Sequence, residues 1–270
     1  MRIRLNAVVG GILLGIVVAA AAVSVFWTPQ NPLRVAMRAR LNAPSAAHWL
    51  GTDEVGRDVA SRLMAGAGTS CLIAATTVVL AVTLGTMVGL LSGFARGWVD
   101  RILMALNDAL LAFPGILLAL GLLAVIGPGQ WGIVAALGLA YTPTVARIVR
   151  GAVLSIRERE FVEASRSIGN SEGYTMWRHV LPSTLSPLTV LATSLFGWAI
   201  LAESALSFLG LGVPPPAPTW GNMLSAARPY LQSAAWLGIA PGACIAASLL
   251  GVNLLGDALR DRFDPRESLP

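Results

Sequence analysis

Two stretches of this chain, Ala7 to Trp27 and Gly66 to Ala95, contain no charged residue. At about 1.5 Å per residue, either one wound as a helix is long enough to cross the roughly 30 Å core of a bilayer. No water is present there to satisfy the backbone, so a spanning segment must bond its own N–H and C=O groups. Four further apolar runs obey the same logic: Ile102 to Ile126, Trp131 to about Ala146, Ser183 to Leu209, and about Leu231 to Gly256. The pattern predicts an all-α membrane protein with six transmembrane helices. Composition agrees. Only 12% of the 270 residues are charged, against about 25% in soluble domains, and mean hydropathy is +0.70.

Within the spans, Gly85 and Gly89 are four apart on one helical face, which allows another helix to approach closely. The run from Gly66 is longer than the core, so its helix tilts or protrudes. Pro114 interrupts the third span and Pro143 the fourth. Ala7 to Trp27 reads as an uncleaved signal-anchor, with Trp27 at the far interface. Cys71 and Cys244 lie in apolar runs and read as packing residues, and His48 and His179 are isolated, so no metal site is expected. The net charge of +5 comes entirely from Arg, because the chain has no Lys. Without a Lys there is no P-loop, so any ATP hydrolysis belongs to another subunit. The basic balance fits loops beside anionic lipid rather than nucleic acid.

Orientation follows from the Arg count. With six spans, the side holding both termini carries thirteen of the nineteen Arg residues, and the other side carries Arg34, Arg38, Arg40, Arg57, Arg62 and Arg228. The positive-inside rule puts both termini in the cytoplasm.

The longest polar insert on that side runs from Glu160 to Pro182. Glu163, Arg166 and Asn170 are spaced to share a helical face. Gly169 suits a left-handed helix terminus. Asn170 or Ser171 is placed to cap a second short helix. Leu181-Pro182 should stop that helix and start the next span. The expected product is a helix–turn–helix elbow outside the membrane, with Ile168, Tyr174, Met176 and Trp177 as apolar contacts.

Glu163-Ala164-Ser165, Gly169 and Leu181-Pro182 resemble the EAA loop of permease subunits of binding-protein-dependent ABC importers. Ser165 replaces the second Ala of that pattern, and His179 stands where it has Ile, with Val180 alongside as an apolar substitute. His48 to Asp58 resembles the HxLGTDxxGRD signature of the C-type permeases of dipeptide, oligopeptide and nickel importers. Ala202 to Gly212, Trp220-Gly221-Asn222-Met223 and Asp257 to Arg266 are similar to the same subgroup. The resemblance implies a type I ABC importer permease fold, with a first helix over 1–27, an extracytoplasmic loop over 28–62, a transmembrane domain over 63–258 and a cytoplasmic tail over 259–270. It implies a coupling elbow over 157–182, with Glu163, Ala164, Ser165, Gly169, Tyr174, Trp177, Leu181 and Pro182 meeting the ATPase. It further implies a bacterial inner-membrane location, a homologous B-type permease, two ATP-binding subunits that carry ATP and Mg, and an extracytoplasmic solute-binding protein. This chain itself needs no cofactor and has no catalytic residue.

Asn107, Asp108 and Glu203 are the polar residues inside spans that demand explanation. A charge at the bilayer centre costs about 2.5–3.5 kcal/mol on insertion scales, so it faces a cavity or a partner. Either these residues line the translocation path or they bond neighbouring helices, with Asp108 near the inner mouth and Glu203 near the outer surface. In an alternative reading, Asp108 and Glu203 are coupling sites of an ion-driven secondary transporter.

Overall fold

The computed structural model describes residues 2–95 and 97–263, with side chains over 5–95 and 97–261. Arg96 and the end of the C-terminal motif, Asp264 to Arg266, lie outside the described residues, as do the side chains of Arg2, Arg4 and Arg262. Among the described residues the protein is helical, and the one β-contact is an isolated bridge between Thr52 and Asp58. Five of the described helices are long and apolar enough to cross a membrane: α1 (Arg2–Ser24), α2 (Val59–Ala95), α5 (Gln130–Ile156), α8 (Leu181–Phe208) and α10 (Trp236–Phe263). The expected third span is not one helix. It is a pair, α3 (Gly97–Leu111) and α4 (Gly115–Ile126), bent by 93° at the break. Pro114 causes the bend. It has no N–H to give, it disfavours helix at Phe113, and it adopts φ −54, ψ 129 as the cap of α4.

Three other boundaries shift. The second helix begins at Val59 rather than Gly66, because Asp58 caps it. The fourth span continues past Ala146 to Ile156, carrying Arg147 and Arg150 on a helix rather than at the opening of the elbow. The sixth starts at Trp236 rather than Leu231 and continues past Gly256. Between α8 and α10 a short helix, α9 (Trp220–Ala227), is held by a capping box in which Thr219 and Asn222 satisfy each other's backbone N–H.

The central contact is the seam between α2 and α5. A Cβ added at Gly85 would lie 2.4 Å from Val145 Cβ, one at Gly89 2.7 Å from Val149 Cβ, and one at Gly93 2.9 Å from Val153 Cβ. Both sets recur every four residues, so three valines of α5 fill the positions that three glycines of α2 leave open. Dispersion contacts at such close approach replace the hydrophobic drive that lipid cannot supply. Further polar contacts fix the ends of the seam. Asn107, buried, donates to the Pro143 carbonyl at 3.2 Å.

The segment ahead of α2 is ordered by its charges. Asp53 accepts from the N–H groups of Val55 (3.0 Å) and Arg57 (2.8 Å), and Arg57 Nε reaches its other oxygen at 2.6 Å. Gly56 turns the chain at φ +80, where a Cβ would collide with the Ala36 carbonyl. Asp58 Oδ2 accepts from Ser61 N–H at 2.8 Å and Ser61 Oγ at 2.7 Å, and His48 pairs with Oδ1 at 2.9 Å. The motif from His48 to Asp58 thus builds a turn that caps α2.

Overpacking a close helix contact costs about 1–3 kcal/mol. Gly93→Ala should lower the thermal stability of the chain in detergent, and Val153→Ala should recover much of the loss. Gly89→Ala should not be recovered by Val149→Ala, because its Cβ also meets the Ala146 carbonyl oxygen at 2.6 Å. Unfolding followed by size-exclusion chromatography would separate the two cases.

Candidate coupling site

The elbow is built from α6 (Glu160–Ser167) and α7 (Glu172–Thr175). Helix α6 ends in a paired termination in which Asn170 N–H bonds to the Ser165 carbonyl at 3.2 Å and Gly169 N–H to the Arg166 carbonyl at 2.9 Å. That pattern requires a left-handed residue, and Gly169 supplies it at φ +85. No atom lies within 4 Å of a Cβ built there, so backbone conformation rather than space dictates glycine. Ser171 caps α7, accepting from Tyr174 N–H at 3.2 Å. Asn170 does not extend the face of Glu163 and Arg166. It lies beyond the helix, and its amide turns back to Ser165 Oγ at 3.1 Å.

Ser165 is buried between the two helices. Its hydroxyl lies 3.0 Å from that of Thr175, also buried, so the departure from Ala at this position contributes a polar rivet across the elbow. Arg166 grips Glu172 through both nitrogens, with Nε 3.0 Å from Oε1 and an Nη 3.1 Å from Oε2. Val162 and Val180 are fully buried in one apolar cluster with Val153 and Ile156. Val180 therefore fills the apolar place beside His179, whose ring packs against Tyr174 at 5.9 Å and Phe161 at 6.5 Å.

The expected stop at Leu181-Pro182 does not occur. The chain stays helical from α7 through a π-type turn over Met176–Val180 into α8. Leu181 N–H bonds to the Met176 carbonyl, five residues back. That register shift seats Pro182 in the first turn of α8, where its missing N–H costs nothing. The turn also aims Met176 inward, against the core, rather than out with the other apolar residues. Phe161, Ala164, Ile168, Tyr174 and Trp177 remain exposed beside Glu163 and Arg178.

Two arginines tie the elbow to α2. Arg157, buried, donates to the Gly93 carbonyl at 2.7 Å. Arg166 lies 5.6 Å from the centre of the Phe94 ring. A cleft of about 630 Å³ remains between them, lined by Leu91, Phe94, Arg157, Arg166 and Met176 among others. Just above, Arg150 holds Asp100 with two bonds of 2.6 and 2.7 Å, and Ser92 donates to the same carboxylate. Only the Asp100 and Arg150 charges near the span ends hinted at this network in the sequence.

The intramembrane acids separate. Asp108 is exposed and ion-paired with Arg147 of α5. Glu203 is fully buried, five residues before the end of α8 at Phe208. Ser207 donates to it at 2.7 Å and Ser70 at 3.3 Å, while Ser70 also accepts from Trp220 N–H at 3.3 Å. Glu203 thus joins α8 and α2, and Ser70 passes the connection on to α9.

With this geometry established, comparison with known proteins is decisive. A family described as the binding-protein-dependent transport system inner membrane component matches residues 85–269. The chain belongs to that family. It is a multi-pass permease component of an ABC importer. A protein of Brucella suis biovar 1, provisionally named as a peptide permease, is 42% identical over 97% of this chain and 88% of its own length. The dipeptide transport system permease of Alkalihalophilus pseudofirmus is 43% identical over 84% of this chain and 75% of its own length. The fold resembles a chain of the MetNI methionine ABC transporter, with TM-score 0.62 and 19% identity, covering 74% of this chain and 95% of that one.

A left-handed conformation costs a residue with a Cβ about 1–2 kcal/mol, whereas Asn tolerates it better. Gly169→Val should therefore open the elbow, seen as faster tryptic cleavage at Arg166 and Arg178 by about tenfold. Gly169→Asn should cleave nearly as slowly as the parent chain.

Proposed function

We propose that this chain pairs with a homologous permease to form the membrane path for peptides or similar small solutes. Two ATP-binding subunits sit below the permease pair, one of them docked on this chain's elbow, and a binding protein delivers the solute from outside. The observation that supports this reading most is the elbow itself: a rigid, doubly capped turn, riveted inside by Ser165 and Thr175, that leaves Ile168, Tyr174 and Trp177 in water. Exposed aromatic and aliphatic residues on a rigid element suit the centre of a protein interface. The peptide assignment draws on the names of the relatives, and the cytoplasmic placement of both termini and the elbow draws on the Arg count.

Glu163, Ala164, Gly169, Tyr174 and Trp177 then form the docking face. Ser165, Leu181 and Pro182 act from behind it, shaping the elbow and its join to α8. ATP and Mg would act on the partner subunits. ATP binding draws those subunits together, the elbow moves with them, and the spans rock between inward and outward states. Shifting such an equilibrium from 1:99 to 99:1 takes about 5.5 kcal/mol, so the elbow must carry force without bending. Ion coupling through Asp108 and Glu203 has no comparable support, since one is paired with Arg147 and the other is held by serines.

Affinity purification of the tagged chain with mass spectrometry tests the reading. A second permease and one or two ATPases should accompany it, whereas a homo-oligomer with no ATPase would refute it. Trp177→Ala should weaken retention of the ATPase by about tenfold or more, as expected for truncating an interface aromatic. Gly169→Val should leave the complex assembled, with ATP hydrolysis no longer producing uptake.

A further inference from the structure

The ion pair of Asp108 and Arg147 stands apart from the other charge contacts of the spans. Asp100 and Arg150 are largely enclosed, but the Asp108 and Arg147 side chains are 62% and 59% exposed. Arg147 lies nine residues before the end of α5 at Ile156, about 14 Å along the axis. It therefore belongs to the inner half of the span. Lipid is a poor neighbour for two exposed charges at that depth, so this surface faces water or protein.

The rest of α5 argues for water. Its Val145, Val149 and Val153 stripe is spent on α2, while Thr144, Arg147 and Gly151 recur on another face at helical spacing. Arg147 and Gly151 are exposed and Thr144 is partly so, with Ile148 exposed beside them. A partly open stripe that carries a threonine and an arginine on a span, opposite an apolar packing face, suits a helix that lines a conduit.

We propose that Asp108 and Arg147 line the inner part of the translocation path and exchange their mutual contact for the two ends of a zwitterionic solute. Asp108 meets the ammonium group and Arg147 the carboxylate. This inference rests on the importer reading above and adds the chemistry of the solute. A lone carboxylate in the path would trap a cation. A pair that already satisfies itself binds the passing solute weakly enough to release it, which conduction requires. Both ends of a peptide with free termini find a partner, and the pair re-forms behind it.

The test uses the complete importer in proteoliposomes, in a background with Cys71 and Cys244 replaced by Ser. Asp108→Cys and Arg147→Cys should each react with a membrane-impermeant thiol reagent, either without nucleotide or after trapping with ATP and vanadate. Asp108→Asn and Arg147→Gln should each lower uptake of a labelled free-termini dipeptide about fivefold or more, with ATP hydrolysis retained. The exchanged pair Asp108→Arg with Arg147→Asp should recover most of it. Arg147→Gln should also narrow the preference for the dipeptide over its C-terminal amide. Thiols unreactive in both states, wild-type uptake by the single variants, or an unchanged preference would overturn the proposal. A wild-type complex unable to drive uptake with ATP would instead refute the importer reading itself.

Discussion

The end of the molecule that carries the elbow depends on how closely α2 and α5 approach. Gly85, Gly89 and Gly93 leave room for Val145, Val149 and Val153, and no larger residue would allow the two backbones to come so near. That approach brings the last turn of α2 within reach of α5. The Gly93 carbonyl then accepts from Arg157, and Ser92 and Arg150 converge on Asp100 from two helices. Each of these bonds would fail if the seam were a few ångströms wider. The elbow begins at Arg157, so its root is fixed by the packing of two helices inside the membrane.

The two ends of the protein use polar groups differently. At the end away from the elbow they are turned inwards: Asp53, Asp58 and Glu203 are buried and bonded, organising the turn ahead of α2 and linking α8, α2 and α9. At the elbow end, charged and aromatic groups project from the elbow, and Asp108 and Arg147 stay open. An end knitted by buried bonds resists deformation, and an end with an exposed, internally braced element is suited to receive force. The difference fits a protein worked from one side and supplied from the other.

Much of this was legible in the sequence where one residue type has one physical use. Gly169 could be read as a left-handed helix terminus, and Gly85 and Gly89 as a close helix contact, because few other residues permit either. The uncharged runs announced the spans. Legibility failed where the outcome depended on partners far along the chain. Arg150 looked like a loop charge until α3 brought Asp100 to it. Asp108 gave no hint of Arg147, thirty-nine residues away. Leu181-Pro182 looked like a stop because the π-type turn that accommodates the proline is a matter of hydrogen-bond register, which spacing does not encode. Glu203 could be placed near the end of its span, but its burial could not be read, because distance along a helix says nothing of what packs around it.

The elbow and the end of α2 that it meets should move as one body. Paired spin labels at Ser167 and Leu91, both exposed, would measure it in complexes that hydrolyse ATP and transport. The distance distribution between them should be the same without nucleotide and after trapping with ATP and vanadate. A change of several ångströms between those states would mean that the elbow swings on α2 rather than carrying it, and would contradict the account.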